Sequence, residues 1–166
     1  MDADAKKTAL RMIPYGLYVL TAEGPDGAAA ATVNWVTQAS FEPPLVVVGV
    51  KKDSGIWAAI RAARAFALNV LGKGQNDKAF AFFKPVAVDG GRIGGERFRK
   101  GATGAPILED LPAFVECRLV EAYERGDHVV AIGEVVEAGV ARAPEGRADD
   151  ATLWLKDLGE KMFYGG

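Results

Sequence analysis

The chain has 166 residues, 49% hydrophobic and 25% charged, which suits one globular domain over residues 1–166 with a buried core. A formal charge of -2, with basic residues scattered along the chain, supplies no electrostatic footprint for nucleic acid or an anionic membrane. One cysteine and one histidine exclude an intramolecular disulfide, a Cys-based zinc or iron–sulfur centre and a His-rich metal site within one chain, so no metal is expected.

The start, MDADAKKTAL, lacks an apolar h-region, and no stretch approaches about 18 apolar residues, so a cytoplasmic protein without membrane partners is expected. Ala5–Ile13 can form a helical turn that seats Leu10 and Ile13, ended by Pro14. Leu17–Ala22 is rich in β-formers and stops at Glu23–Gly27, a turn cluster that predicts a hairpin into the next strand. Ala29–Gly55 then reads as two strands joined at Pro43-Pro44, followed by a polar turn. The first carries Asn34, Thr37, Gln38 and Ser40 among apolar neighbours, whereas the second, Leu45–Val50, is almost purely aliphatic. Four hydrogen-bonding side chains in a core strand imply a polar body lying against it. The alternation with Val33, Trp35 and Ala39 also fits a half-exposed strand with a solvent face.

Lys51, Lys52 and Ser54 precede a helical pattern over Ile56–Phe66, with Asp53 or Ser54 as N-cap. Amide N–H groups, a hydroxyl and positive charge at a helix start make an anion site. The same residues also fit an ordinary capped helix with two solvated lysines. Phe66–Leu71 is a further strand, closed by Gly72-Lys73-Gly74. Asn76–Phe83 reads as a short helix presenting Phe80 and Phe83 on one face, with Pro85 beyond its end.

The glycine-dense segment Val88–Pro106 reads as a long surface loop or lid. Its Gly-Gly pairs do not make a dinucleotide fingerprint, because no βα context surrounds them. Ala113–Tyr123 and His128–Ala141 are two long strands joined by a tight turn, with Cys117 as a structural inward-facing residue. His128, at a strand start, fits either a surface or a functional role. Thr152–Gly166 carries Trp154, Leu155, Leu158, Met162 and Phe163, enough apolar weight to dock on the body or on a partner subunit. About six strands with two or three short helices predict a mainly β protein, a β-barrel with short helices, rather than a doubly wound sheet.

The runs Gly16–Thr21, Thr32–Val50 (TVNWVTQASFEPPLVVVGV), Phe66–Leu71 and Gly126-Asp127-His128 occur in the order found in the flavin reductase-like family, which the chain resembles over nearly its whole length. Its segment TLWLKDLGEKMFYGG resembles the flavin reductase-like module of cyanobacterial diflavin flavoproteins. The resemblance implies an FMN-binding split barrel of Greek-key type that forms a homodimer. It implies a flavin, FMN or else FAD, with NADH or NADPH as electron donor and hydride passing from the nicotinamide to the isoalloxazine N5. The alternative within the same resemblance is an FMN-binding electron-transfer protein with a protein redox partner; a monooxygenase is a further partner class. The matching positions are Asn34, Trp35, Val36, Thr37, Gln38 and Ser40 for the ring edge and ribityl chain, and Lys51, Lys52 and Ser54 for the phosphate. His128 falls near the nicotinamide and is the catalytic candidate. An isoalloxazine edge needs several donors and an acceptor from backbone and short polar side chains, which these residue types can supply.

Overall fold

A computed structural model describes residues 1–165. The chain opens with α1 (Ala3–Arg11), capped by the Asp2 carboxylate, which accepts from the Ala5 amide at 2.6 Å; none of its residues is buried. β1 (Tyr18–Gly24) and β2 (Gly27–Val33) then form one antiparallel hairpin, and β3 (Val36–Ser40) and β4 (Leu45–Lys51) form another. α2 (Gly55–Ala63) carries the chain back, so that β5 (Ala65–Val70) pairs with β1. α3 (Asn76–Ala81) leads into four short strands, β6 (Val88–Asp89), β7 (Arg92–Ile93), β8 (Glu96–Lys100) and β9 (Pro106–Leu108), which make a small sheet of their own. Finally β10 (Ala113–Tyr123) and β11 (His128–Val140) form the long hairpin that fills the gap between β5 and β4. The large sheet is therefore antiparallel throughout, in the order β2-β1-β5-β10-β11-β4-β3, with β2 and β3 as its free edges.

Strand alternation in β1 divides the core in two. Leu20 and Ala22 face a cluster with Val48, Val50, Ile60, Phe66, Leu68 and Leu119, which α2 covers with Ile56, Trp57 and Ala59. Leu17 and Val19 face the opposite way, toward Leu71, Phe82, Ile93, Leu108 and Leu153. Burying such side chains stabilises by about 1.5–3 kcal/mol each, so both faces of β1 hold the fold. The two sheets are joined by a buried polar network. Thr21 Oγ1 donates to the Pro106 carbonyl at 2.6 Å, Asn69 Nδ2 donates to Thr21 Oγ1 at 3.0 Å, and the Leu108 amide donates to Asn69 Oδ1 at 2.9 Å. Its members have partners on every side, which is what a buried network requires.

Three expectations change. Val88–Pro106 is not a lid without elements: Gly90-Gly91 (φ 55° and 75°) and Gly94-Gly95 (φ 57° and 85°) turn two tight hairpins and let Ile93, Ile107 and Leu108 be buried. Left-handed φ at both turn residues is the geometry that matches strand twist, and glycine adopts it without cost. The segment expected as one strand through Ser40 breaks at Asn34-Trp35, where the chain leaves β2 and starts β3. α2 is also shorter than expected, ending at Arg64 with φ 57°.

Candidate functional site

A cleft of about 750 Å³ opens along β2. Its floor is Ala28–Asn34, one wall is Phe82–Val86 after α3, and one end is formed by Gly49–Lys51 and Asp53–Ile56 at the start of α2. His128, the cross-strand partner of Lys51, and Met162–Tyr164 complete the lining beside it. The floor is unusual for a strand: GAAAATV has almost no β-branched bulk, so the backbone itself is open to approach. The Thr32 amide donates to the Phe82 carbonyl at 3.0 Å and therefore points away from β1. Backbone groups alternate in direction along a strand, so those of Ala28 and Ala30 also face off this free edge.

Asn34 lies at the end of that floor, 6% exposed, and its Nδ2 has no hydrogen-bond partner among the described residues. A buried donor in that condition costs about 1–3 kcal/mol, which a ligand acceptor in the cleft would offset. Trp35 Nε1 is likewise buried without a partner among the described residues. The Trp35 ring does not line the cleft; it packs behind it, 4.6 Å from the His128 ring and 5.2 Å from that of Tyr164. A Cβ on Gly49 would lie 3.0 Å from the Trp35 ring, so glycine there lets the indole approach β4.

Ser54 is the N-cap of α2: its Oγ accepts from the Trp57 amide at 3.3 Å and donates to the Lys51 carbonyl at 2.6 Å. The helix start presents further amides beside Lys51, whose ammonium pairs with Asp53 at 3.1 Å. The Asp53 carboxyl is held below its ordinary value by the hydrogen bond from Lys51 and by its charge.

Beside Lys51, His128 Nδ1 hydrogen-bonds with Asp127 Oδ1 at 2.9 Å and Nε2 with the Tyr164 hydroxyl at 2.7 Å, so the two ring nitrogens are held from both sides. The hydrogen bond from His128 holds the Asp127 carboxyl below its ordinary value, and burial pushes the Tyr164 phenol up.

Of the expected site residues, the structure brings Asn34, Lys51, Ser54 and His128 to one cleft. It does not bring Trp35, Val36, Thr37, Gln38, Ser40 or Lys52 to its lining. Val36–Ser40 is β3, at the far edge of the sheet, where Thr37 and Gln38 are exposed. Thr37 Oγ1 donates to the Gln38 carbonyl and Gln38 Nε2 to the Ser40 carbonyl, so their polar atoms serve the local backbone. Lys52 points away and pairs with Glu124 at 3.5 Å. The alanine run of the floor escaped sequence reasoning; the run's poor β-propensity is the signal that could have found it. Among the described residues there is no cluster of His, Cys, Asp or Glu suited to a metal ion, and no helix is long and apolar enough to cross a membrane.

The model of the flavin reductase like domain matches residues 10–157. The chain belongs to that family. It is 33% identical over 144 residues to diflavin flavoprotein A 1 of Synechocystis, an alignment covering 86% of this chain and 25% of that protein. It is 32% identical over 135 residues to the stachydrine N-demethylase reductase subunit Stc3 of Rhizobium meliloti, covering 81% of this chain and 57% of that one. The chain thus spans about a quarter to somewhat over half the length of these curated relatives. Among solved structures, the NADH:FAD oxidoreductase SgcE6 of Streptomyces globisporus C-1027 superposes with a TM-score of 0.69 at 34% identity, covering 77% of this chain and 76% of that one. The fold is the mainly β split barrel of this family.

Proposed function

We propose that this chain is an NADH-dependent flavin reductase whose flavin lies in the cleft along β2. The observation that carries the reading is Asn34: a buried amide donor without a partner among the described residues, at the end of a floor of exposed backbone edge and in the same cleft as the start of α2. These parts fit a flavin mononucleotide in kind. The free edge of Ala28–Ala30 and Asn34 Nδ2 would hold the polar edge of the isoalloxazine, whose carbonyls and ring nitrogens need both donors and acceptors. Lys51, Ser54 and the first amides of α2 would hold the phosphate.

Bound there, the flavin supplies an N5 that takes up hydride from the reduced nicotinamide and later yields electrons to an acceptor. The protein's task would be positioning: the apolar wall at Phe82, Phe83 and Val86 would exclude water and hold the flavin where the donor can reach it. His128, held in orientation by its contact with Asp127, would face the donor with Nε2 and is given no proton to move in the hydride step. NADH is favoured as donor by the name of the SgcE6 relative, and a partner oxygenase by that of Stc3, a reductase subunit.

A homodimer would use the outer face of the long hairpin, where Tyr123 and Val130 are cross-strand neighbours, both exposed, beside Val120. The direct test is the purified protein's absorption spectrum, followed by steady-state NADH oxidation with added FMN. Flavin bound with NADH turnover supports the reading. Flavin bound tightly with no turnover on NADH or NADPH favours an electron-transfer protein. No quenching of flavin fluorescence on titration overturns flavin binding itself.

A further inference from the structure

The segment Met162–Tyr164 has no role in the proposed chemistry, yet all three of its side chains line the cleft. The chain before it is anchored: the Leu155 amide donates to the Tyr15 carbonyl at 2.9 Å, and Asn76 Nδ2 donates to the Asp157 carbonyl at 3.0 Å. Among the described residues beyond Leu158 there is no regular element, and after Gly159, with φ 139°, the chain reaches the cleft at Met162–Tyr164. What holds the segment there is a small set of contacts at the surface. The Arg11 guanidinium sits 4.3 Å from the centre of the Phe163 ring, and the Tyr164 hydroxyl hydrogen-bonds with His128 Nε2 at 2.7 Å. The Tyr164 ring lies 5.2 Å from Trp35 and 5.8 Å from His128. Phe163 and Tyr164 both remain about half exposed, 51% and 47%, so little buried area opposes their release.

A planar aromatic ring with one polar substituent therefore occupies the His128 end of the cleft through a single hydrogen bond and edge contacts. A nicotinamide ring with its carboxamide has the same description. We propose that Tyr164 is a gate for the hydride donor: its phenol holds the place that the donor's ring takes, and the donor enters by displacing Met162–Tyr164 and inheriting His128 Nε2. This rests on the flavin reductase reading. It makes the segment a determinant of donor affinity, because binding is weakened by the fraction of molecules in which the gate is closed.

The test uses Tyr164→Ala and Tyr164→Phe in the full chain, with free FMN and NADH as probes. Flavin titration of the unaltered protein is read first; absence of quenching overturns the flavin reading, and the gate with it. With flavin bound, the gate predicts that Tyr164→Ala lowers the KM for NADH about three- to tenfold, as loss of one neutral hydrogen bond and a ring contact implies, while FMN affinity stays the same. Tyr164→Phe gives a smaller fall in the same direction. The second readout needs no turnover. His128 is the only histidine, so its imidazole Hδ2 and Hε1 signals are unambiguous, and both substitutions shift them in the flavin-free protein. An unchanged or raised KM for NADH in Tyr164→Ala, with flavin binding intact, overturns the gate and leaves the flavin reading standing. An unmoved His128 signal overturns it as well, by showing that the contact is not made in solution.

Discussion

Replacing Asn34 by leucine separates binding from stability more sharply than any other substitution in the cleft. The side chain is 6% exposed and its Nδ2 has no partner among the described residues, so the flavin-free fold carries a desolvated donor worth about 1–3 kcal/mol. Leucine has nearly the same shape and no polar atom. Part of the gain is lost to its slightly larger volume, which leaves about 1–2 kcal/mol of net stabilisation. For a chain of this length that raises Tm by about 2–8 °C. Binding moves the other way. The flavin loses one hydrogen bond of about 0.5–1.5 kcal/mol, and the acceptor that Asn34 faced is left unpaired, so affinity falls about tenfold. The assay is a pair of measurements on one preparation: thermal unfolding of flavin-free protein by circular dichroism, and flavin titration by fluorescence quenching. A lower Tm with unaltered affinity would refute the reasoning, since it would mean that the amide is satisfied within the fold and takes no part in the cleft.

Ser54→Ala with Lys51→Ala removes a hydroxyl and a charge from the proposed phosphate site; each charge-assisted bond lost costs about 1.5–3 kcal/mol of FMN affinity, and the missing N-cap a further ~1 kcal/mol of stability, both readable by titration and urea unfolding. Thr37→Ala and Gln38→Ala, on exposed β3, change stability by no more than about 0.5 kcal/mol; a large loss of flavin binding in either would place the cofactor against the opposite edge of the sheet. Glu116→Ala costs about 3 kcal/mol or more in urea unfolding, because the Glu116 carboxylate accepts from the Ala102 and Thr103 amides at 3.0 and 2.9 Å and from Thr103 Oγ1 at 2.7 Å. Burial pushes the Cys117 thiol up to about 12, so it resists alkylation at neutral pH until the protein is unfolded.

The hairpins, the aliphatic β4 and the inward Cys117 were legible because strand alternation and turn residues act locally. Ser54 was legible as a cap for the same reason. The division of labour in Ala29–Ser40 was not. Polar side chains concentrated at Thr37 and Gln38 suggested a ligand, but on an edge strand the same residues fold back on their own carbonyls and blunt the edge against pairing. The edge left open is β2, and what opens it is the lack of side chains in its alanine run, which leaves little pattern to read. The Glu116 carboxylate under residues 102–103 was equally hidden, since nothing in a strand sequence says which loop will lie over it.

The ion pairs that tie α3 to the small sheet make a last, pH-dependent prediction. Lys78 lies on α3 and bridges Glu96 of β8 at 2.6 Å and Asp110 at 3.1 Å, so it sets the position of the helix whose following turn forms the cleft wall. The hydrogen bond from Lys78, and then its charge, hold the Asp110 carboxyl below the ordinary 3.8. A carboxyl depressed in the folded state adds stability that is present above its unfolded value and is lost as pH falls through the lower folded value. Asp110 is largely exposed, so the contribution is small and screened by salt. Lys78→Met should therefore flatten the fall in stability between about pH 5 and pH 3 at low ionic strength. It should also loosen the Phe82–Val86 wall, weakening flavin binding at neutral pH. A variant with the same acid slope and the same flavin affinity as the unaltered protein would show that the wall is held by the apolar contacts of Phe82 alone.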